Sequence, residues 1–229
     1  MILAIIQARM SSNRLPGKVM QLVMGKPLLS YMVERIKPSR TINQLVVATS
    51  EDASDSLIAD WCKRESISCF RGGLHDVLDR FYQCAISIEP RPKTVVRLTA
   101  DCPLHHYEVV DLAVKEFQGS GLDFFTNSFP PTFEDGFDVE VFTFEAMQNA
   151  WFARKEPTDK EHVTPLIRNN PLLQRRFKKF RENYQFNLSV DTPGQMGTIR
   201  SIFEKLYPHN HFFTIDDVIK HLNGLELSV

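Results

Sequence analysis

Apolar and polar positions fall into two patterns that take turns along the first half of the chain. Ile2–Ile6, Gln44–Thr49, Ile67–Phe70 and Thr94–Leu98 are short apolar runs with little alternation. Such runs predict strands, and the unbroken Ile2–Ile6 predicts one buried on both faces, as in a parallel sheet covered by helices, with Gln44–Thr49 a second buried strand. Between them, Pro27–Lys37, Ser50–Arg64, Val77–Ile86 and His105–Gln118 set apolar residues at helical spacing, for example Leu28, Leu29, Met32, Val33 and Ile36. Pro38 stops the first of these helices, and Ser50, Glu51 and Asp52 supply a cap and negative charge at the start of the second. Strand–helix alternation of this kind predicts an α/β fold: a Rossmann-like, mostly parallel sheet with helices on both faces.

After Gly119 the pattern loosens. Leu122–Thr126 reads as a strand and Asn127–Gly136, with Pro130-Pro131, as a loop. Phe137–Phe142 alternates, with Asp138 and Glu140 on one side and Val139 and Val141 on the other, which predicts a strand with one polar face. A helix through Ala153 and another near Lys160–Arg168 follow. Leu172–Phe180 mixes basic and apolar residues without a readable register. Gln185–Val190 reads as a last strand, and Pro193–Leu206 and Ile215–Leu222 as closing helices. No linker divides residues 1–229, so one domain is expected, with a small inserted segment at about 121–181.

Composition narrows what such a domain does. The 229 residues carry 27 basic and 28 acidic side chains, a formal net charge of -1. Nucleic-acid coats and membrane-surface proteins need an excess of one sign, so neither a nucleic-acid nor a membrane partner is expected. No apolar stretch is long enough to span a bilayer, and Ile2–Ile6 is too short for a secretory signal. These features point to a cytoplasmic protein. The four cysteines, Cys62, Cys69, Cys84 and Cys102, contain no C-x-x-C pair and read as free thiols.

Any phosphate site must therefore be built from a few placed cations. The first strand feeds directly into Arg9–Lys18, which holds Arg9, Ser12, Arg14, Lys18 and the pair Pro16-Gly17. Ligands in open α/β sheets bind beyond the carboxyl ends of the strands. Pro16 presets φ, and Gly17 supplies the positive φ of a type II turn, so Lys18 is fixed in place with Arg14 before it. Arginine grips phosphate oxygens in a fork and lysine acts as a point charge. The glycines of a P-loop or a dinucleotide fingerprint are missing. Asp101, in Arg97–Pro103, and Asp191, in Leu188–Pro193, each end a strand pattern ahead of a helix. Each alone reads equally as a helix cap or a metal ligand. Two strand-end aspartates on the rim of a phosphate loop are read jointly as a shared Mg²⁺ site. Asp135, Asp138, Glu140 and His162 read equally as polar groups satisfied within the fold or as a group suited to sugar hydroxyls. Arg71 follows a strand and points at the same rim as a nucleotide contact.

The order IIQARMSSNRLPGKVM, GKPLLSYMVERI, VVRLTADCPL, DGFDVEVF, EHVTP, LSVDTP closely resembles the cytidylyltransferases that activate acidic sugars as CMP-sugars. It is nearest to the spore coat polysaccharide biosynthesis protein F branch, with 3-deoxy-manno-octulosonate and acylneuraminate cytidylyltransferases as more distant relatives. The resemblance covers almost the whole chain. It implies a nucleotide-diphospho-sugar transferase fold, CTP and Mg²⁺, a sugar acceptor, a role in polysaccharide biosynthesis and a homodimer built through the inserted segment. By motif, Arg9 and the backbone near Ala8 lie by the base and phosphates, and Ser12 and Thr99 by the nucleotide. Arg14 and Lys18 grip the triphosphate, Asp101 and Asp191 hold Mg²⁺, and Asp138, Glu140 and His162 face the acceptor. Arg14, Lys18 and Asp101 are the expected catalytic residues. Acylneuraminate enzymes carry G-G-S-K ahead of R-L-P-G-K, where this chain has Met10-Ser11-Ser12-Asn13. The residues by themselves leave open another nucleotide, glycosyl transfer from a nucleotide sugar, or a non-catalytic nucleotide-binding subunit.

Overall fold

The computed structural model describes residues 1–129, 133–177 and 186–226, and the side chains of 175–177 and 225–226 are not described. β1 (Ile2–Gln7) runs into the basic loop and a small hairpin, β2 (Leu22–Val23) and β3 (Lys26–Pro27). Then come α1 (Leu28–Ile36), β4 (Gln44–Ser50), α2 (Ser56–Arg64), β5 (Cys69–Gly72), α3 (Val77–Ile86), β6 (Thr94–Thr99) and α4 (Tyr107–Phe117). β7 (Phe124–Thr126), β8 (Glu140–Thr143), α5 (Phe144–Ala153), α6 (Pro157–Glu161), α7 (Pro165–Arg168), β9 (Arg175–Phe177), α8 (Pro193–Leu206) and α9 (Ile215–Glu226) complete the order. The seven-stranded sheet has the order β5-β4-β1-β6-β8-β7-β9. β8 pairs antiparallel with both neighbours and every other pairing is parallel, so the sheet is mostly parallel, as expected.

The unbroken apolar run of β1 has the meaning expected of it. Ile2, Ala4 and Ile6 pack into one core with residues of α1, α2, α4, α8 and α9. Leu3 and Ile5 face the other core, with residues of α3, α5 and α7. Helices thus cover both faces, and each fully buried aliphatic side chain contributes roughly 1.5–3 kcal/mol.

Four expectations need correction. The strand at Gln185–Val190 is not part of the sheet. Gln185 lies outside the described residues, and the run after it makes a single bridge, Asp135 to Asn187. That run is held by Leu188 N donating to Asp135 O (2.8 Å) and Val190 N donating to Asp101 O (2.8 Å). The strand at Ile67–Phe70 lies two residues later, at Cys69–Gly72, because Ile67 N is used to close α2 on Cys62 O at 2.8 Å. The strand at Phe137–Phe142 begins only at Glu140, because the Asn127 side chain takes the place of a partner backbone. Its amide donates to Phe137 O (2.9 Å) and its oxygen accepts from Val139 N (2.8 Å). The helix near Lys160–Arg168 is two short helices, each opened by a proline, Pro157 and Pro165. Residues 124–126, 140–143 and 175–177, within the stretch at about 121–181 expected to be an insertion, are strands of the main sheet. Pro130-Pro131 and residues 178–180 lie outside the described residues.

Candidate active site

The loop after β1 is organised around the backbone of Met10. Its N–H donates to Asp55 Oδ1 (2.7 Å), and its carbonyl accepts from Ser12 N (2.9 Å) and Gly17 N (2.8 Å). Asp55 is fully buried, and its Oδ2 accepts from Ser50 N (3.1 Å) and Ser50 Oγ (2.5 Å). One carboxylate therefore ties the loop to the end of β4. A buried charge needs such a full set of partners. Gly17 has φ 70° and ψ 8°, and Lys18 N donates to Leu15 O at 3.3 Å, which is the type II turn expected of Pro16-Gly17. The turn sends Lys18 inward, where it is 7% exposed.

There Lys18 Nζ lies 2.7 Å from Asp101 Oδ2 and 2.8 Å from Asp191 Oδ1. Arg14 Nη2 holds the other oxygen of Asp191 at 2.8 Å. Burial works against the Lys18 charge, but the two carboxylates more than offset it, and its pKa lies above the usual lysine value. Burial likewise opposes ionisation of Asp101. The Lys18 ammonium and a Thr99 hydroxyl override it and hold that carboxyl below the usual range. Asp101 reaches this place because β6 ends at Thr99 and the chain turns. Asp191 reaches it because Val190 N is pinned to the backbone of Asp101.

A cavity of about 290 Å³ opens over this group. Arg9, Ser12, Arg14, Lys18, Thr99, Asp101 and Asp191 line it, so the structure brings together seven of the residues singled out from sequence. Ala8 is buried behind it, with its N–H on Ala48 O at 3.1 Å. Arg71 does not line it. Its guanidinium donates to Ser50 O (2.9 Å), Asp52 O (2.9 Å) and Ser56 Oγ (3.3 Å), bracing the end of β4. Cys102 is a packing residue against Thr99, with its Sγ 3.3 Å from the Thr99 hydroxyl, and burial pushes its thiol up.

Sequence reasoning missed Arg97, Asp55 and the lining residues Gln7, Asn13, Val19 and Ala100. For Arg97 a signal existed: a charge inside an apolar central strand must find a partner. That partner is Glu140 across the β6–β8 pairing, at 2.6 Å, and Glu140 in turn accepts from Thr164 Oγ1 at 2.8 Å. Asp138 stands beside this pair. Burial, with Asp135 and Glu140 nearby, pushes its carboxyl up to about 7. Burial also raises Asp135, to which Asp101 and Asp191 add. His162 is exposed at the end of α6, two residues before Thr164.

The raised Asp138 gives a pH prediction. Its folded pKa exceeds its unfolded value, so its ionisation weakens the fold, by an amount that grows from about pH 4 and is complete above about pH 7. Asp138→Asn is expected to raise Tm at pH 8 and leave it nearly unchanged at pH 4. Each kcal/mol of relieved cost is worth roughly 2–4 °C in a chain of this size. Calorimetry at the two pH values checks this, and an equal shift at both would overturn it.

Residues 3–223 match the family model described as Cytidylyltransferase. The chain belongs to the cytidylyltransferase family. Among relatives, Uncharacterized protein MJ1063 of Methanocaldococcus jannaschii is 34% identical over 195 residues, 83% of this chain and 78% of its own. Spore coat polysaccharide biosynthesis protein SpsF of Bacillus subtilis is 30% identical over 218 residues, 89% of this chain and 87% of that one. The solved structure of a cytidylyltransferase from Leptospira borgpetersenii superposes with a TM-score of 0.89 at 29% identity, covering 98% of this chain and 94% of that one. As a cytidylyltransferase this chain is a CTP-dependent nucleotidyltransferase, and its mostly parallel sheet is the one its family uses. Among the described residues no helix is long and apolar enough to cross a membrane.

Proposed function

We propose that this cytidylyltransferase transfers CMP from CTP to a hydroxyl of an acidic sugar and releases pyrophosphate, in the building of a surface polysaccharide. One observation carries the reading: Lys18, Arg14, Asp101 and Asp191 meet on one wall of a cavity that Arg9 and Arg97 also line. The transfer asks for positioning and for neutralisation of a triphosphate, and a cluster of fixed cations supplies both. In this reading Lys18 and Arg14 grip the phosphates. Arg9, Ser12, Thr99 and the backbone near Ala8 surround the rest of the nucleotide, and Arg71 braces the rim they stand on. Asp138 and Glu140 flank the acceptor, with His162 at its outer edge. The motif resemblance to 3-deoxy-manno-octulosonate cytidylyltransferases supports the acidic acceptor, and the likeness to SpsF supports the polysaccharide role.

A divalent cation fits the donor set. Asp101 Oδ2 and Asp191 Oδ1 converge on a single cationic nitrogen, and both are hard oxygen donors. Among the described residues no cluster of three or more His, Cys, Asp or Glu stands ready as a complete ligand set. Magnesium suits such a site, because it takes one or two carboxylates and completes its shell with phosphate oxygens and water. Bound there, Mg²⁺ would withdraw charge from the reacting phosphate and favour departure of pyrophosphate. We assign the protein to the cytoplasm and its dimer contact to the segment at about 121–181. The test is pyrophosphate release from CTP, UTP, GTP and ATP across a panel of acidic sugars. Release is expected with CTP, Mg²⁺ and an acidic sugar together. Turnover with a neutral sugar alone, or with another nucleotide alone, would overturn the assignment.

A further inference from the structure

Lys18 holds a position that a simple phosphate-gripping residue would not need. Its ammonium is shared between Asp101 Oδ2 and Asp191 Oδ1 at 2.7 and 2.8 Å, so it stands where two carboxylates converge. We propose that Lys18 is a tethered rival of the divalent cation, one that occupies the Asp101–Asp191 pair and gives it up in exchange for the triphosphate of CTP. The proposal rests on the CTP and metal reading above and adds an order to it: the carboxylates become available to the ion together with the nucleotide.

Three observations argue for it. The tether is short and firm, because the glycine turn at Gly17 fixes the backbone and the side chain is only 8% exposed. Two carboxylates this close repel each other unless a cation lies between them, and an ammonium at under 3 Å from both fills that role. The remaining oxygen of Asp191 is held by Arg14, so the two carboxylates already face two cations. A divalent ion arriving by itself would have to displace Lys18 against this balance and remain beside two displaced positive charges. A triphosphate changes the balance. It offers Lys18 and Arg14 a partner of higher charge, and Arg14, with a side chain 67% exposed, is free to swing toward it. Binding of CTP and of the ion should then be coupled, and such coupling is reciprocal.

The experiment titrates Mn²⁺ into the full chain without nucleotide, with the free ion followed by electron paramagnetic resonance. Lys18→Met removes the rival cation at similar volume. It is expected to bind Mn²⁺ at least about tenfold more tightly than the wild type, by the size of the usual interactions between neighbouring sites. Lys18→Arg keeps the charge and should stay as weak as the wild type. The double variant Lys18→Met with Asp101→Asn should lose the gain. Lys18→Gln serves in place of Lys18→Met if circular dichroism shows the latter unfolded. Unchanged or weaker Mn²⁺ binding in Lys18→Met or Lys18→Gln would overturn the proposal. So would a gain that survives Asp101→Asn. If the wild type makes a CMP-sugar and the variant shows no gain, the rival role alone fails. If the wild type releases no pyrophosphate from CTP, the functional reading fails, while the Mn²⁺ comparison still decides the competition.

Discussion

Asp101→Asn is expected to lower kcat/KM for CMP transfer roughly 10³-fold, the usual cost of removing one preorganised electrostatic group from a reacting centre. The substitution keeps the shape of the side chain and removes its charge. The wild-type carboxylate accepts from Lys18 Nζ at 2.7 Å, and with Asp191 it offers the converging oxygens that would hold the proposed divalent cation. An amide supplies one neutral oxygen in their place and presents an N–H where the ammonium stands. Fold stability should fall as well, because the buried Lys18 ammonium loses one of its two carboxylate partners, but the backbone contact that pins the site, Val190 N to Asp101 O, does not use the side chain and should persist. Pyrophosphate release over a range of CTP and Mg²⁺ concentrations measures the effect. A folded Asp101→Asn enzyme within about threefold of the wild type, a difference of under 1 kcal/mol, would remove Asp101 from the reacting centre.

Gly136→Ala is expected to cost the fold about 2–4 kcal/mol and to lower activity further than the loss of folded protein explains. Gly136 has φ 107°, a conformation that L side chains rarely adopt. A methyl there would lie 2.8 Å from Leu188 C, 2.9 Å from Leu188 O and 3.0 Å from Ser189 N. All three are backbone atoms and have no rotamer by which to give way. The close approach exists because Leu188 N donates to Asp135 O and Asn187 bridges to Asp135. Those contacts carry the chain to Asp191. The strain should therefore appear in two places. Denaturant unfolding would report the lost stability. A fall in kcat/KM at temperatures where the variant stays folded would report the displaced carboxylate. A variant as stable as the wild type would show that this approach is not tight in solution.

The glycine also shows why the last strand was misread. Gln185–Val190 has a strand's composition, but what it pairs with is decided elsewhere in the chain. Its neighbours are the loop around Asp135 and the turn at Asp101, each bonded through single backbone groups. Nothing in a local apolar pattern separates a strand in a sheet from an extended segment pinned at two points. Asn127 is a second case: its side-chain amide stands in for a strand, so the alternation of Phe137–Phe142 overstates the pairing by three residues. Arg71 is a third. It lies within β5, and which way its flexible guanidinium turns depends on acceptors brought by Ser50, Asp52 and Ser56.

What the sequence by itself determined was local and periodic. The unbroken apolar run Ile2–Ile6 determined a strand covered on both sides, because burial on two faces admits no polar alternation. Pro16-Gly17 determined the turn that aims Lys18, because φ at those two residues is set by their own covalent structure. The order of the motifs from R-L-P-G-K to S-V-D-T-P determined the family. The tertiary structure decided which of these pieces meet. Lys18 and Asp191 are separated by 173 positions, and Arg97 and Glu140 by 43. Their pairing comes from strand order, from an antiparallel β8 and from a carboxylate, Asp55, buried far from the motif it anchors. Charges in a low-dielectric interior must find partners wherever the fold brings them. So seven of the residues that line the cavity could be singled out along the chain, while Arg97 and the ammonium shared by two aspartates took their places only in three dimensions.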